Sequence, residues 1–314
     1  MTESVFVPEL PEVETIRRGL LPLIGARVLK GEVFRDRSVR MHDGGLDTFS
    51  DDAADQTITA AVRRGKFLWL PLQPAVEPAP VGATVETPVP AALLVHLGMS
   101  GQLLYWEIEP EPHPHLRVRF NLQLPDGAAT GLDFIDQRTF GHLAIVDLVS
   151  TPDGKAGGEG SPAPTIPKPA AHIARDVLDP NLNTKSVTAN IITKNTEIKR
   201  VLLDQTVLSG IGNIYADEAL WQAKIHPQTT AVSLSTRQIN KLIKACQEIT
   251  AKSLTAGGTS FDALYVNVNG ESGTNSDNLN VYGRENEPCP RCGRPIVRIT
   301  FMNRSSHICK NCQS

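Results

Sequence analysis

The sequence of 314 residues predicts an α+β protein with several domains: an N-terminal antiparallel β-sandwich with flanking helices, a C-terminal helical domain and a small terminal cysteine module. Three observations support this fold class. Apolar residues alternate with polar ones in the first half, they recur with a helical period in the second half, and four of the five cysteines form two close pairs near the end. A content of 40% hydrophobic and 21% charged residues is near the globular average, which argues against a fibrous or largely disordered chain.

The first half of the chain has the pattern of antiparallel strands. In "HLRVRFNLQL", residues 115–124, apolar and polar side chains alternate up to the turn-forming "PDG". The runs "RRGKFLWLPL", "AALLVHLGMSGQLLYW" and "GHLAIVDLV" are similar. A helix is predicted ahead of these strands, opening at Pro11, where a missing N–H group costs nothing. We therefore predict a sandwich domain over residues 8–150.

The second half begins after a segment rich in Gly, Pro and Ser. This composition predicts a flexible linker over residues 151–171. Beyond it, apolar residues recur on one helical face over residues 239–249, and Ser235 with Gln238 forms a capping box at the start of that helix. A helical domain is therefore predicted over residues 172–268.

The cysteine spacing is the strongest local signal. Cys289 and Cys292 are separated by two residues, as are Cys309 and Cys312, and sixteen residues lie between the pairs. Two thiolate pairs on tight turns suit tetrahedral Zn²⁺, so we expect one structural zinc ion. Two disulfides are the alternative, but no signal peptide precedes them. Cys246 lies on an apolar helical face and is expected to be a buried packing residue.

Charge excludes little. The net charge is −3, so the global field gives no support to a nucleic-acid partner, and any such role must depend on local patches. The terminal zinc module, residues 284–314, has six Lys or Arg residues against two acids, and Arg63, Arg64 and Lys66 form a second patch. On charge alone, a solvated basic face is the favoured interpretation of both. No window of eighteen apolar residues occurs, so we expect a cytoplasmic protein without a membrane partner.

Four segments in this order resemble the formamidopyrimidine-DNA glycosylase / endonuclease VIII family of DNA-repair enzymes. They are "PELPEVETIRRGL", the sandwich motifs "RRGKFLWL" and "HLGMSG", "LLDQTVLSGIGNIYADEALWQAKIHP", and the cysteine module with "NRSSHICKNC". The resemblance implies a helix-two-turns-helix motif in the helical domain and a zinc-ribbon β-hairpin finger at the end. It also implies a monomer whose partner is duplex DNA containing oxidised or abasic lesions.

The resemblance implies a catalytic role for four residues. The secondary amine of Pro8 would attack C1′ of the damaged nucleotide, expel the base and form a Schiff base, from which β- and δ-elimination cut the strand. Glu9 would be the general acid/base, while Lys66 and Arg304 would hold phosphates. Glu12 is either a surface acid that complements the helix dipole or a functional residue.

Further residues are implied to contact DNA. These are Asn213, Lys199, His115, Met99, Arg138 and Phe140. Asn213 precedes a helix, so that its amide and the helix N-terminus could both meet a phosphate. Met99 and Phe140, with Arg138, match a trio that fills the space left by an everted base, although the first two could also be core residues. The trio favours the formamidopyrimidine and 8-oxoguanine branch, and the polar residues 269–283 match the loop that caps an everted base.

Pro8 raises a chemical difficulty. Seven residues precede it, and the nitrogen of an internal proline is an amide without nucleophilicity. One hypothesis is that Val7 is the true start, read from a GTG codon, and that its removal frees the proline amine. The alternatives are a lesion-binding protein that does not cut, an endonuclease VIII-like enzyme for oxidised pyrimidines, and a zinc-ribbon scaffold without a DNA role.

Overall fold

The computed structural model describes residues 8–75, 90–258 and 279–313. In this part of the chain, the first domain is a ten-stranded antiparallel sheet in which the strands pair in the order β10-β9-β5-β4-β2-β1-β7-β8-β6, and β3 pairs with β4. The strands are β1 Arg27–Val33, β2 Gln56–Ile58, β3 Val62–Arg64, β4 Phe67–Pro74, β5 Ala91–His96, β6 Gly101–Trp106, β7 Leu116–Gln123, β8 Ala129–Asp136, β9 His142–Ser150 and β10 Thr165–Pro167.

The sheet folds on itself, which confirms the predicted sandwich. Leu70 and Val95, from β4 and β5, share one buried cluster with Phe120 and Leu132, from β7 and β8. The two halves of the sheet therefore enclose a common apolar core. Some of the polar residues that alternate with the core residues are also buried, among them Arg119 of β7, which forms an ion pair with Asp133 of β8.

Two helices flank the sandwich, α1 Leu10–Gly19 and α2 Leu46–Ala53. Helix α1 begins one residue before the predicted Pro11 and is capped by the side chain of Glu9 in a reciprocal capping box with Glu12. Val13 of α1 packs into the sandwich core, whereas Leu10 packs into the core of the second domain. Helix α1 therefore lies where the two domains meet.

The segment predicted to be a flexible linker, residues 151–171, is instead packed on the first domain. Strand β10 pairs with β9, and the carbonyl of Gly157 accepts a hydrogen bond of 2.6 Å from Arg64 Nε. Glycine at position 157 allows the backbone to pack closely against Thr165, because a Cβ atom there would lie 1.9 Å from the Thr165 carbonyl oxygen. These contacts contradict the linker prediction.

The second domain is helical, as predicted. Its helices are α3 Thr184–Ile191, α4 Ile198–Leu203, α5 Asn213–Ala223 and α6 Thr236–Thr255. The capping box of Ser235 and Gln238 at the start of α6 is present. Helices α4 and α5, with the turns between them, form the helix-two-turns-helix unit. Among the described residues, none of these helices combines the length and apolarity that crossing a bilayer requires.

The chain ends in a β-hairpin of β11 Val297–Phe301 and β12 Arg304–Ile308. The hairpin packs against the second domain through a small cluster that includes Trp221, Val281 and Ile296. Most of the segment 269–283, predicted to be a capping loop, lies outside the described residues.

Candidate active site

Glu9 joins the two domains at the point where α1 meets α5. Its carboxylate accepts hydrogen bonds from the backbone N–H groups of Gly212 at 2.7 Å, Ile214 at 2.9 Å and Tyr215 at 3.4 Å. A helix N-terminus favours a carboxylate because its N–H groups have no partner within the helix. A Cβ atom at Gly212 would lie 2.3 Å from Glu9 Cδ, so a larger residue there would displace the Glu9 carboxylate.

The environment of Glu9 suits proton transfer near neutral pH. Burial raises the pKa of Glu9 to about 7, and it outweighs the opposing effect of the Lys66 ammonium group; the carboxylate of Glu12 adds to the rise. A carboxyl group with this pKa is present in both protonation states at pH 7, so it can donate a proton in one step and accept one in another.

Glu12 is buried, so the interpretation of this residue as a surface acid is wrong. Its carboxylate accepts hydrogen bonds from the backbone N–H group of Glu9 at 3.0 Å and from the hydroxyl group of Tyr215 at 2.8 Å. Glu12 therefore fixes the backbone at the start of α1 and links it to α5.

Lys66 is carried into the site by the tight turn between β3 and β4. Asp176, from the second domain, accepts hydrogen bonds from the Gly65 N–H group at 3.0 Å and from Arg63 Nη1 at 2.8 Å. Gly65 has a φ of +58°, and a Cβ atom there would lie 2.6 Å from Ser209 Oγ. The turn is therefore docked on the second domain. Burial, partly opposed by the carboxylate of Glu9, lowers the pKa of Lys66.

A cleft of about 1200 Å³ lies between the domains and contains Glu9. Five basic side chains line it, against two acidic ones, Glu9 and Asp204. The basic residues are Lys66, Lys194, Arg200, Arg298 and Arg304. The protein as a whole carries a net charge of −3, so positive charge is concentrated at this surface, as an anionic ligand requires. Lys194 and Arg200 were not predicted, because nothing in the sequence distinguishes them from other basic residues, and Arg298 was considered only as part of the basic patch over residues 284–314.

Arg304 and Asn213 both line the cleft where α5 meets the terminal hairpin. Asn213 Nδ2 donates a hydrogen bond of 3.1 Å to the carbonyl of Ser305. The prediction that the N-terminus of α5 meets a DNA phosphate needs correction, because the N–H groups of Gly212 and Ile214 are occupied by Glu9.

Lys199 does not face the cleft, which contradicts the predicted phosphate contact. Its side chain is 0% exposed and forms an ion pair of 2.6 Å with Asp217. Lys199 Nζ also donates a hydrogen bond to Ser306 Oγ at 2.5 Å. Asp217 further accepts a hydrogen bond of 2.8 Å from the backbone N–H group of His307. This buried cluster attaches the terminal hairpin, and with it Arg304, to the second domain.

Met99, Arg138 and Phe140 lie on two adjacent loops, residues 97–100 and 137–141, here called the wedge loops. Met99 lines the cleft, Phe140 is 45% exposed, and the guanidinium group of Arg138 lies 5.6 Å from the centre of the Phe140 ring. Because Phe140 is exposed, it is not a core residue.

His115 lies next to the second wedge loop. Its carbonyl accepts a hydrogen bond of 3.0 Å from the N–H group of Asp136, the last residue of β8. The geometry therefore places His115 beside the residues predicted to enter the duplex.

Comparison with known proteins identifies the family. A model of the formamidopyrimidine-DNA glycosylase N-terminal domain matches residues 7–143, and a model of the H2TH domain of the same enzyme matches residues 173–264. The chain belongs to the formamidopyrimidine-DNA glycosylase family. The family member from Nocardia farcinica (strain IFM 10152) is 49% identical over 308 residues, which are 98% of each chain. The member from Leifsonia xyli subsp. xyli is 44% identical over 308 residues, which are 98% of this chain and 99% of the relative.

Solved structures of formamidopyrimidine-DNA glycosylases share the fold. The complex of the Lactococcus lactis enzyme with DNA containing an abasic site has a TM-score of 0.75 at 26% identity, and covers 98% of this chain and 100% of the other. The complex of the wild-type enzyme with DNA containing N7-benzyl-Fapy-dG has a TM-score of 0.77 at 27% identity, with the same coverage.

The terminal cysteines fit the metal site of this family. A model described as the zinc finger found in FPG and IleRS matches residues 286–314. The Sγ atoms of Cys289, Cys292, Cys309 and Cys312 all lie within 4.8 Å of one another, as four thiolates around one tetrahedral Zn²⁺ ion require. The cluster therefore accommodates one structural zinc ion, which would fix the hairpin that carries Arg304.

Asp176 is a site residue that sequence reasoning missed. It is 1% exposed and lies in a segment whose composition gives no functional signal. Its importance follows only from the fold, which brings it against the turn that presents Lys66.

Proposed function

We propose that this protein is a bifunctional DNA glycosylase and AP lyase that removes oxidised purines, such as 8-oxoguanine and formamidopyrimidines, from duplex DNA in base-excision repair. The observation that carries the proposal is the position of Glu9, buried next to Pro8, held by the N-terminus of α5 and facing a basic cleft. Membership of the family, whose solved members include complexes with lesion-containing and abasic DNA, supports it.

The proposed reaction uses Pro8 and Glu9 together. The neutral amine of Pro8 attacks C1′, the C1′–base bond breaks, and the resulting iminium joins the proline nitrogen to the sugar. Glu9 in its protonated form donates to the sugar ring oxygen as the ring opens, and in its ionised form accepts protons in the later elimination steps. A pKa of about 7 for Glu9 is consistent with both roles at neutral pH.

DNA binding is assigned to the basic lining of the cleft and to the wedge loops. Lys66, Arg304 and the side-chain amide of Asn213 contact phosphates of the damaged strand. Met99 and Phe140, together with Arg138, enter the space left by the everted base. Arg138 then faces the orphaned base, for which cytosine is the favoured identity.

The active form begins at Pro8. An acylated proline nitrogen cannot form an iminium, so catalysis requires a chain without residues 1–7. Initiation at Val7, followed by removal of the initiator residue, produces that chain. The match to the family model from residue 7 onward supports this proposal. The protein acts as a monomer in the bacterial cytoplasm, associated with the nucleoid when bound to DNA.

The test compares two purified forms, the full chain and a chain beginning at Pro8. Each is incubated with duplexes containing 8-oxoguanine, an oxidised pyrimidine or an abasic site, with borohydride to measure covalent trapping and without it to measure strand cleavage. We expect covalent trapping and strand cleavage only with the chain beginning at Pro8, with a preference for 8-oxoguanine over the pyrimidine. The control variant Glu9→Gln in the same form should bind DNA and excise the base slowly.

Three outcomes would contradict the proposal. If the chain beginning at Pro8 binds lesion DNA but is never trapped, the protein is a lesion-binding protein. If it prefers the oxidised pyrimidine, it has the specificity of endonuclease VIII. If it does not bind abasic duplex, the terminal module is a scaffold without a DNA role.

A further inference from the structure

The two wedge loops are in direct backbone contact. A Cβ atom at Gly98, whose φ is +62°, would lie 2.5 Å from the nitrogen of Gly141 and 2.7 Å from the carbonyl carbon of Phe140. Only a glycine permits this approach. The loops that carry Met99 and Phe140 therefore form one unit.

Asp136 holds the inner side of the two wedge loops by accepting hydrogen bonds from their N–H and O–H groups. The carboxylate of Asp136 is completely buried and accepts hydrogen bonds from Ser100 Oγ at 2.5 Å, Gly141 N at 2.7 Å and Arg138 N at 3.2 Å. Ser100 lies in the first wedge loop, whereas Gly141 and Arg138 lie in the second. A single carboxylate thus joins both loops.

Arg40 holds the outer side of the same loops by donating hydrogen bonds to their carbonyl groups. It follows the short 3₁₀ turn Asp36–Val39, and its two terminal nitrogens donate hydrogen bonds of 2.9 Å to the carbonyls of Phe140 and Gly141. A guanidinium group can form this fork because its donors lie in one plane with fixed spacing. Lysine has the same charge but cannot reproduce the two parallel bonds.

The backbone between Arg138 and Phe140 is strained, which shows how firmly it is held. Thr139 has a φ of +56°, a conformation that a β-branched residue rarely adopts. Such a conformation persists only where the surrounding contacts determine it. Here the contacts are those of Asp136 on one side and Arg40 on the other.

We propose that Arg40 is a positioning residue that holds Arg138 and Phe140 in the conformation that enters the duplex before DNA is bound. The inference rests on the proposed function, because it assigns Arg40 a part in the base eversion that excision requires. A loop that is already ordered loses little conformational entropy on insertion, so insertion is faster and more complete. Arg40 therefore acts through the wedge loops and touches neither the lesion nor the reacting atoms.

The competing explanation is a direct contact between Arg40 and a DNA phosphate. The two explanations make different predictions for the Arg40→Lys variant and for the salt dependence of DNA binding. A phosphate contact is retained in Arg40→Lys, and its loss in Arg40→Ala lowers the slope of log K against log salt by about 1. A clamp on two carbonyls is lost in both variants, and its loss leaves the salt dependence unchanged.

The experiment measures wedge insertion separately from chemistry. Variants Arg40→Ala and Arg40→Lys are compared with Arg37→Ala, a matched control because Arg37 lies in the same turn and its side chain is exposed. Insertion is followed by the fluorescence of 2-aminopurine opposite an abasic-site analogue. Excision is followed by single-turnover kinetics on an 8-oxoguanine·C duplex, and trapping by borohydride on a duplex whose abasic site faces a gap.

We expect both Arg40 variants to reduce the fluorescence change and to lower single-turnover excision roughly tenfold or more, since two charge-assisted hydrogen bonds are lost. Trapping on the gapped duplex and the salt dependence of binding should match those of the unsubstituted chain, and Arg37→Ala should match it in all assays. Circular dichroism and thermal melting verify that each variant is folded.

Two results would overturn the role of Arg40. One is an Arg40→Ala variant with unchanged fluorescence and excision; the other is rescue by Arg40→Lys together with a reduced salt slope in Arg40→Ala. A failure of the proposed function gives a different result. In that case the unsubstituted chain beginning at Pro8 would not be trapped on the gapped duplex. The fluorescence comparison would still decide whether Arg40 positions the wedge loops.

Discussion

Glu9 should titrate near pH 7, far from the value of an exposed glutamate, because burial raises its pKa from 4.5 to about 7. At pH 7 about half of the molecules then carry the proton, compared with about 0.3% for a carboxyl group of pKa 4.5. The structure thus predicts a roughly 150-fold larger population of the general acid.

The assay is a ¹³C NMR titration of protein labelled at the glutamate carboxyl carbons. The resonance of Glu9 is assigned by its absence in Glu9→Gln. Lys66→Met should raise the pKa of Glu9 further, and Glu12→Gln should lower it, because the Lys66 ammonium group lowers this pKa and the Glu12 carboxylate raises it. In the chain beginning at Pro8, a protonated amine should also lower the pKa of Glu9. A midpoint near 4.5 in the full chain, or shifts of the opposite sign in the variants, would refute the reasoning.

The same pKa makes a prediction for stability. A carboxyl group whose pKa is raised by folding stabilises the folded state most at pH values below 4.5, and this stabilisation is lost as the pH rises through 7. Between pH 5 and pH 8 the free energy of unfolding should therefore decrease by roughly 2–3 kcal/mol because of Glu9. Urea unfolding at both pH values measures the decrease, and Glu9→Gln should lack this part of it.

Three further predictions concern residues that support the site. Asp176→Asn should lower the free energy of unfolding by about 1–3 kcal/mol and slow excision, because it removes one of the two charge partners of Arg63, leaving only Glu14, and loosens the turn of Lys66; urea unfolding and single-turnover kinetics measure both, and an unchanged excision rate would contradict it. Lys199→Met should destabilise the protein by about 3 kcal/mol, because it leaves the buried Asp217 without its lysine partner, but it should not change the salt dependence of DNA binding. If the slope of log K against log salt fell by about 1, Lys199 would contact a phosphate after all. Cys312→Ser should abolish stoichiometric zinc in metal analysis and weaken DNA binding, whereas full zinc content would exclude the four-cysteine site.

The parts of the site that the sequence predicted are those determined by local spacing or by motif. The two cysteine pairs predict a metal site because the turns bring each pair of thiolates together regardless of the rest of the fold. Glu9 and Lys66 were predicted from motifs at the start of the chain and in the sandwich, and both line the cleft.

The parts that the sequence did not predict depend on contacts between distant segments. Lys199 has the residue type of a surface cation, and its burial is explained only by Asp217, which lies on a different helix. The segment 151–171 has the composition of a linker, but Gly158 allows the backbone to approach Arg63, whose carbonyl would be 2.3 Å from an added Cβ atom. In both cases the determining partner is remote in sequence, so neither periodicity nor composition contains the information.

The ion pairs of Arg63 with Glu14 and with Asp176 determine how the protein can accommodate a duplex. Both bonds are buried, and the second one crosses between the domains. Opening the groove would separate buried charges, which is unfavourable by several kcal/mol. The deformation on binding is then taken up by the DNA, and bending a site costs on the order of 1–6 kcal/mol, depending on its sequence and stacking. A duplex that is already weakened at one step bends more easily, so we expect a rigid groove to favour such a duplex over an intact one before any base has entered the cleft.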